Sequence, residues 1–75
     1  MTRLPVLSGN DLVKILSKAG FQFARQKGSH IILVKFAESK KRAVVVPNHK
    51  EIDRGTLSEI IRQAGLTKDE FLRLI

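Results

Sequence analysis

Cysteine is absent from the sequence, so neither a disulfide bond nor a metal site with thiolate ligands can form. Long hydrophobic runs are absent too. The longest aliphatic run, from Ile31 to Val34, is far too short to span a membrane. The first residues of the chain lack the pattern of a secretory signal peptide. We therefore expect a soluble, cytoplasmic protein.

Length limits what the chain can build, because 75 residues correspond to a single domain over positions 1–75. A chain of this size buries only about 60% of the surface that its unfolded state exposes. We do not expect an enclosed active site in so small a core. Any chemistry should therefore take place on an open face of the domain.

Acidic residues are scarce in the middle of the chain. Between Lys14 and Lys50 the only acid is Glu38, so this segment is strongly basic. The whole sequence has 14 Lys and Arg against 7 Asp and Glu, which gives a formal net charge of +7. Nine of the basic residues lie in this segment: Lys14, Lys18, Arg25, Lys27, Lys35, Lys40, Lys41, Arg42 and Lys50. Lys and Arg contacts with phosphates release condensed counterions, so this distribution favours a nucleic-acid partner. Solubility is the alternative explanation of the excess charge.

Three segments predict helices. The first is LSGNDLVKILSKAG, in which Ser8 can cap the helix, Asp11 follows three residues later and Gly20 can end it. The second is DRGTLSEIIRQAG, and in these first two segments apolar residues recur at the spacing of one helix face. The third is LTKDEFLRLI, where Thr67 and Glu70 form the pattern of a capping box.

Three segments between the first two helices predict strands, namely FQFARQ, HIILVKF and AVVV. Residues 27–29 predict a hairpin turn, AESKKR predicts a polar turn, and Pro47 should end the third strand. The resulting order is α-β-β-β-α-α. Its simplest packing is an α+β fold, with a three-stranded antiparallel sheet that has the helices on one face.

The second and third strands are apolar on both faces, which a sheet covered by helices on one side does not require. In the second strand Ile31 and Leu33 share one face, and Ile32, Val34 and Phe36 share the other. Either a partner or a second copy covers this second face, or it consists of ordinary β-forming residues that stay partly exposed. The sequence leaves both alternatives open.

His30 is the residue best suited to chemistry, because an imidazole can take up and return a proton near neutral pH. Arg25, Lys27 and Lys35 are close to it in the sequence, so a phosphodiester bound by these cations would meet the imidazole. RNA carries its own nucleophile, the 2′-OH. A group that deprotonates this hydroxyl, or protonates the leaving 5′-oxygen, can cleave the strand without a metal. The alternative is a half-buried structural histidine.

Other catalytic arrangements are not indicated. His30 and His49 lie on different predicted elements without an adjacent acid at ligand spacing, so no metal or other cofactor is expected. Ser29 cannot form a triad with His30 through adjacency alone, because neighbouring strand residues point to opposite faces. We interpret Ser29 as a turn residue.

Four segments together resemble the HicA toxin family, the small mRNA-cleaving partners of type II toxin–antitoxin pairs. They are SGNDLVKILSKAGF, RQKGSH, VPNH and GTLSEIIRQAGLTKDEF, and they follow one another from Ser8 to Phe71. The resemblance implies a fold like that of a double-stranded-RNA-binding domain and metal-independent endoribonuclease activity on mRNA. It also implies a HicB-type antitoxin that covers the active site, so that oligomeric state is set in the toxin–antitoxin complex.

The same resemblance implies that the active site lies at the predicted hairpin. The GSH match places the catalytic histidine of the family on His30. The residues expected to bind RNA are Arg25, Lys27, Gly28, Ser29 and Lys35. His49 matches a recurrent histidine of the family, and we interpret it as a loop histidine near Pro47 rather than as a catalytic residue.

A non-catalytic RNA-binding module is the main alternative function. Double-stranded-RNA-binding domains hold phosphates with lysines at the start of their last long helix, and this site here reads HKEIDRGTL. Glu51 and Asp53 place negative charge where a helix N-terminus would otherwise attract phosphate, which disfavours this alternative. A protein-binding module is the third interpretation. Cleavage of RNA in the presence of EDTA is expected only of the toxin.

Overall fold

The computed structural model describes residues 4–75 and contains three helices and three strands in the predicted order. Their bounds are α1 Gly9–Lys18, β1 Gln22–Lys27, β2 His30–Ala37, β3 Lys40–Pro47, α2 Arg54–Gln63 and α3 Lys68–Leu72. The strands form one antiparallel sheet in the order β1-β2-β3. The predicted α+β fold is confirmed. No helix in the described part of the chain is long and apolar enough to cross a membrane.

The predicted caps of the first and third helices are confirmed. At α1 the Asp11 amide N–H donates to the Ser8 hydroxyl oxygen at 3.0 Å, and the Ser8 amide donates to the Asp11 carboxylate at 3.1 Å. Thr67 and Glu70 form the same reciprocal pair of hydrogen bonds at α3. Each pair satisfies two backbone donors that would otherwise lack partners, and so fixes where the helix begins.

Each strand ends one residue later than predicted, and the starts of β1 and β3 differ as well. β1 begins at Gln22 rather than at Phe21, whose side chain is buried in the core. β3 begins at Lys40, earlier than predicted, because the turn after β2 contains only Glu38 and Ser39. These two residues have φ angles of 50° and 67°, and two consecutive positive φ angles suit the twist of a tight hairpin. The basic residues assigned to a loop therefore extend the sheet.

The hydrophobic core lies between the helices and one face of the sheet. The sheet contributes Ile31 and Leu33 from β2 and Val44 and Val46 from β3, all of them buried. The buried hydrophobic residues of the helices are Leu12, Ile15, Leu16, Leu57, Ile60, Ile61 and Phe71. The core thus uses alternate residues of β2 and β3 and leaves the intervening ones on the opposite face.

The sheet face that points away from the helices is called the outer face below. On it, Ile32 and Val34 are partly buried, Val45 is 44% exposed and Phe36 is 72% exposed. Every residue of β1 is exposed, since both long helices pack mainly against β3. The prediction that the sheet is apolar on both faces is confirmed, and within residues 4–75 no helix covers the outer face.

Candidate active site

His30 is the first residue of β2 and lies at one end of the sheet, directly after the turn formed by residues 28–29. Its backbone pairs with Lys27 across the β1–β2 hairpin and with Pro47 on β3. Side chains alternate along a strand, so the burial of Ile31 on the helix side places His30 on the outer face. The His30 side chain is exposed there and is accessible to a large substrate.

Gly28 determines the shape of the hairpin turn. Its φ is +59°, a conformation that residues with a Cβ rarely adopt, and glycine at the first position of a two-residue loop is typical of a type II′ turn. The turn makes Lys27 and His30 directly opposed residues on neighbouring strands. The Cβ atoms of such pairs are about 5 Å apart. The Cβ of Lys27 therefore lies next to the Cβ of His30.

The loop that follows β3 is hydrogen-bonded to this hairpin and to α1. The Asn48 N–H donates to the Ser29 carbonyl oxygen at 2.6 Å, and the Gly9 N–H donates to the His49 carbonyl oxygen at 2.9 Å. His49 therefore lies at the same end of the sheet as His30, and its side chain is also exposed. Within residues 4–75 no three His, Cys, Asp or Glu side chains are grouped as ligands for a metal ion.

All but one of the residues predicted to bind RNA lie on or next to this hairpin. Lys27 pairs with His30, and residues 28–29 form the turn itself. Arg25 pairs with Ile32, so it shares the outer face with His30. The structure thus brings these four predicted residues together with the candidate catalytic histidine.

Lys35 lies apart from the others. Lys35 comes five positions after His30 along β2, so it faces the helix side, and its backbone pairs with Arg42. Its Nζ lies 5.9 Å from the centroid of the Phe21 ring. Lys35, Lys40 and Arg42 line a groove of about 390 Å³ between the β2–β3 hairpin and the junction of α2 and α3. Lys35 is therefore not part of the surface that contains His30.

The three strands contain cations but no acidic residue. The cations are Arg25, Lys27, Lys35, Lys40, Lys41 and Arg42. The register places Arg25, Lys27 and Lys41 on the outer face, with Lys41 directly opposite Phe36. The acid that directly follows β2 is Glu38. It lies in the β2–β3 turn, at the end of the sheet opposite the β1–β2 hairpin. The outer face is therefore basic around an apolar centre.

The start of α2 is occupied by a carboxylate of the chain itself. Asp53 accepts the Thr56 hydroxyl at 2.7 Å and the Thr56 amide N–H at 3.1 Å. The hydroxyl first, and then the amide, lower the pKa of Asp53 below its ordinary value, so the carboxylate is ionised at neutral pH. A phosphate would meet negative charge at this helix end. The start of α2 therefore does not offer a free helix end to a phosphate.

Two features of the site were not predicted from the sequence. One is the contact between residues 48–49 and the hairpin turn, which is made by backbone atoms and leaves no residue pattern. The other is the position of Lys41 on the outer face. The alternation of Lys41, Ala43 and Val45 is the signal that could have revealed it, but it becomes visible only once β3 is known to begin at Lys40.

The model of a known protein family matches the sequence. It is described as the HicA toxin of bacterial toxin–antitoxin systems, and it matches residues 9–66, well over half of the chain. This range runs from the first residue of α1 to just beyond α2 and includes the whole sheet, the hairpin with His30 and the loop with His49. No curated protein matches the sequence at a significant level.

Proposed function

The chain belongs to the HicA toxin family of bacterial toxin–antitoxin systems, and from this we propose that it is an endoribonuclease that cleaves mRNA without a metal ion. In this proposal His30 is the general acid/base of the reaction. A cognate HicB-type antitoxin inhibits the enzyme in the toxin–antitoxin complex.

The observation that supports this proposal most strongly is the exposed His30 side chain on a basic, open face. Lys27 is directly opposite His30 across the hairpin, and Arg25 lies on the same face of β1. These cations attract the phosphates of an RNA strand to the imidazole. An imidazole can transfer a proton near neutral pH, so the site combines substrate attraction with acid/base chemistry.

The reaction that fits this site is attack of the RNA 2′-OH on the adjacent phosphorus. A bond forms between the 2′-oxygen and phosphorus, and the bond from phosphorus to the 5′-oxygen breaks. The products are a 2′,3′-cyclic phosphate and a 5′-OH, so one proton leaves the 2′-OH and one reaches the 5′-oxygen. His30 accepts or donates one of these protons, and solvent water accepts or donates the other. The Lys27 ammonium stabilises the negative charge that develops on the phosphoryl oxygens.

The antitoxin inhibits, in this proposal, by covering the outer face. Ile32, Val34 and Phe36 give this face an apolar centre that a protein partner can bury. The surrounding cations favour a partner with an acidic surface, since complementary charges speed association and fix orientation. RNA and antitoxin would then compete for one surface, so that inhibition needs no conformational change in the toxin.

The proposal is tested by incubating the purified protein with RNA in EDTA. The wild-type protein should cleave the RNA, and added antitoxin should stop cleavage. His30→Ala should lower the rate by roughly 10² to 10⁴-fold, the range that general acid/base groups contribute. Its thermal unfolding should be unchanged, because an exposed residue at the start of a strand adds little to the core. His49→Ala is the matched control, at the same end of the sheet, and should have a mild effect.

Three results would contradict the proposal in different ways. RNA binding without any cleavage would indicate a non-catalytic RNA-binding module. Cleavage that EDTA abolishes would indicate a metal-dependent enzyme. Cleavage by His30→Ala at the wild-type rate, after contaminating nuclease has been excluded, would remove His30 from the mechanism.

A further inference from the structure

Phe36 is 72% exposed although it is a large apolar residue in the central strand of the sheet. It lies on the same outer face as His30, because the two residues are six positions apart and side chains alternate between the faces of a strand. The pairing of β2 with β3 is regular throughout, so no bulge interrupts this alternation. The rise of a strand puts them about 20 Å apart along β2. The core lies on the other side of the sheet, so folding does not explain an aromatic side chain at this position.

The charges around Phe36 indicate what it contacts. Lys41 is directly opposite Phe36 on β3, and Arg25 and Lys27 lie on the same face towards the hairpin end. The three strands contain no Asp or Glu, and the acid closest to Phe36 in the sequence is Glu38 in the β2–β3 turn. Positive charge beside an exposed aromatic ring complements a ligand that carries both phosphates and planar bases.

We infer that an unpaired segment of RNA binds across the outer face, with one base stacked on Phe36 while the scissile phosphate lies at His30. This inference rests on the proposed function and specifies its substrate as single-stranded RNA. Bases within a duplex are stacked on one another and cannot stack on a protein ring, whereas unpaired bases stack readily on exposed aromatic side chains. Phe36 is therefore a positioning residue that selects unpaired RNA.

Binding is measured apart from cleavage by using RNA with 2′-O-methyl groups, which lacks the attacking hydroxyl. Phe36→Leu keeps an apolar side chain and removes the ring, so it should weaken binding of an unstructured oligonucleotide by about tenfold. Its affinity for a duplex with the same strand should not change. Phe36→Trp should bind the unstructured oligonucleotide at least as well as the wild type.

Phe23 offers a matched control for the loss of an exposed aromatic ring. It is 61% exposed, and it pairs with the buried Leu33, which places it on the sheet face opposite to Phe36. Phe23→Leu should therefore leave the affinity for the unstructured oligonucleotide unchanged. An equal loss of affinity in Phe23→Leu and Phe36→Leu would overturn the assignment of the outer face.

Fluorescence provides a second readout, because the sequence contains no Trp and no Tyr. The emission of the Phe36→Trp variant therefore reports on this single position. Stacking of a base should quench the emission when unpaired RNA is added and should not do so when duplex is added. An emission unaffected by unpaired RNA would overturn the inference even if the Phe36→Leu variant proved unstable.

The outcomes separate this inference from the proposed function. Ring-dependent binding of unpaired RNA, together with a failure to cleave unmodified RNA, would support base stacking on Phe36 and refute the ribonuclease. Cleavage by a Phe36→Leu variant that binds RNA like the wild type would refute the inference alone. If Phe36→Leu weakened only the binding of the antitoxin, the outer face at Phe36 would be a protein-binding surface and the inference would be wrong.

Discussion

His30 and His49 are the only two histidines of the chain, and the structure places both at the hairpin end of the sheet. If they worked as an acid and base pair, kcat/KM would follow a bell-shaped pH profile, and either alanine substitution would be equally damaging. We expect instead that the profile is not bell-shaped and that His30→Ala loses far more activity than His49→Ala. Steady-state rates over a pH series would decide between these outcomes.

Gly9 illustrates what the sequence could not predict about the site. The sequence predicted the cap at Ser8 and hence the start of α1, because capping depends on local residue pattern. It did not predict that the backbone of Gly9 packs against the loop after β3. A Cβ at Gly9 would overlap the Pro47 carbonyl oxygen and lie 3.0 Å from the Asn48 Cα. This close approach joins elements that are distant in the sequence. A glycine in the sequence does not indicate which residue packs against it.

At the scale of elements, the helix caps make the stability of the protein depend on pH. Hydrogen bonds within the caps lower the pKa of Asp11, Asp53 and Glu70 in the folded state. A carboxyl with a lowered folded-state pKa stabilises the fold above its unfolded pKa, and this contribution is lost as the pH falls through the folded pKa. The urea midpoint should therefore decline as the pH falls below about 4.

Asp53→Asn tests this prediction on one cap. Asparagine keeps an oxygen that can accept the Thr56 N–H and is a good N-cap, but it does not titrate. The decline of the urea midpoint below about pH 4 should therefore be smaller in Asp53→Asn than in the wild type. Asp69→Asn is the control, since it makes the same change of charge at a carboxylate that caps no helix. An identical decline in Asp53→Asn and the wild type would refute the role of this cap.

The strands show where prediction from sequence succeeds and where it stops. The alternation of apolar residues in HIILVKF predicted both the strand and the two apolar faces that the structure shows. The start of β3 was placed too late because Lys40, Lys41 and Arg42 have the composition of a polar turn. In the structure Arg42 pairs with Lys35, and its Nη1 donates to the Gln63 carbonyl oxygen at 3.3 Å. These tertiary partners outweigh the low strand propensity of a basic segment.

For the whole molecule, the uneven distribution of charge predicts how RNA binding responds to salt. The logarithm of the association constant should fall with the logarithm of salt concentration, with a slope of about −0.7 for each phosphate contact of a single strand. Removing Arg25 and Lys27 together by alanine substitution should make the slope shallower by about 1.4. Lys68→Ala with Arg73→Ala removes the same charge from the third helix and its end, and should leave the slope unchanged. Binding that hardly responds to salt would contradict this prediction.

The exposure of every residue of β1 has a consequence for the local motion of this strand. Separating β1 from β2 would break the hydrogen bonds between them but would uncover little apolar surface, so its free energy lies well below that of global unfolding. His30 would keep its pairing with Pro47 on β3 during such an opening, while Arg25 and Lys27 would move with β1. The molecule thus combines a fixed imidazole with cations on a strand that can detach locally. In the proposed ribonuclease, such cations would adapt to RNA backbones of different shapes while the imidazole stays in place.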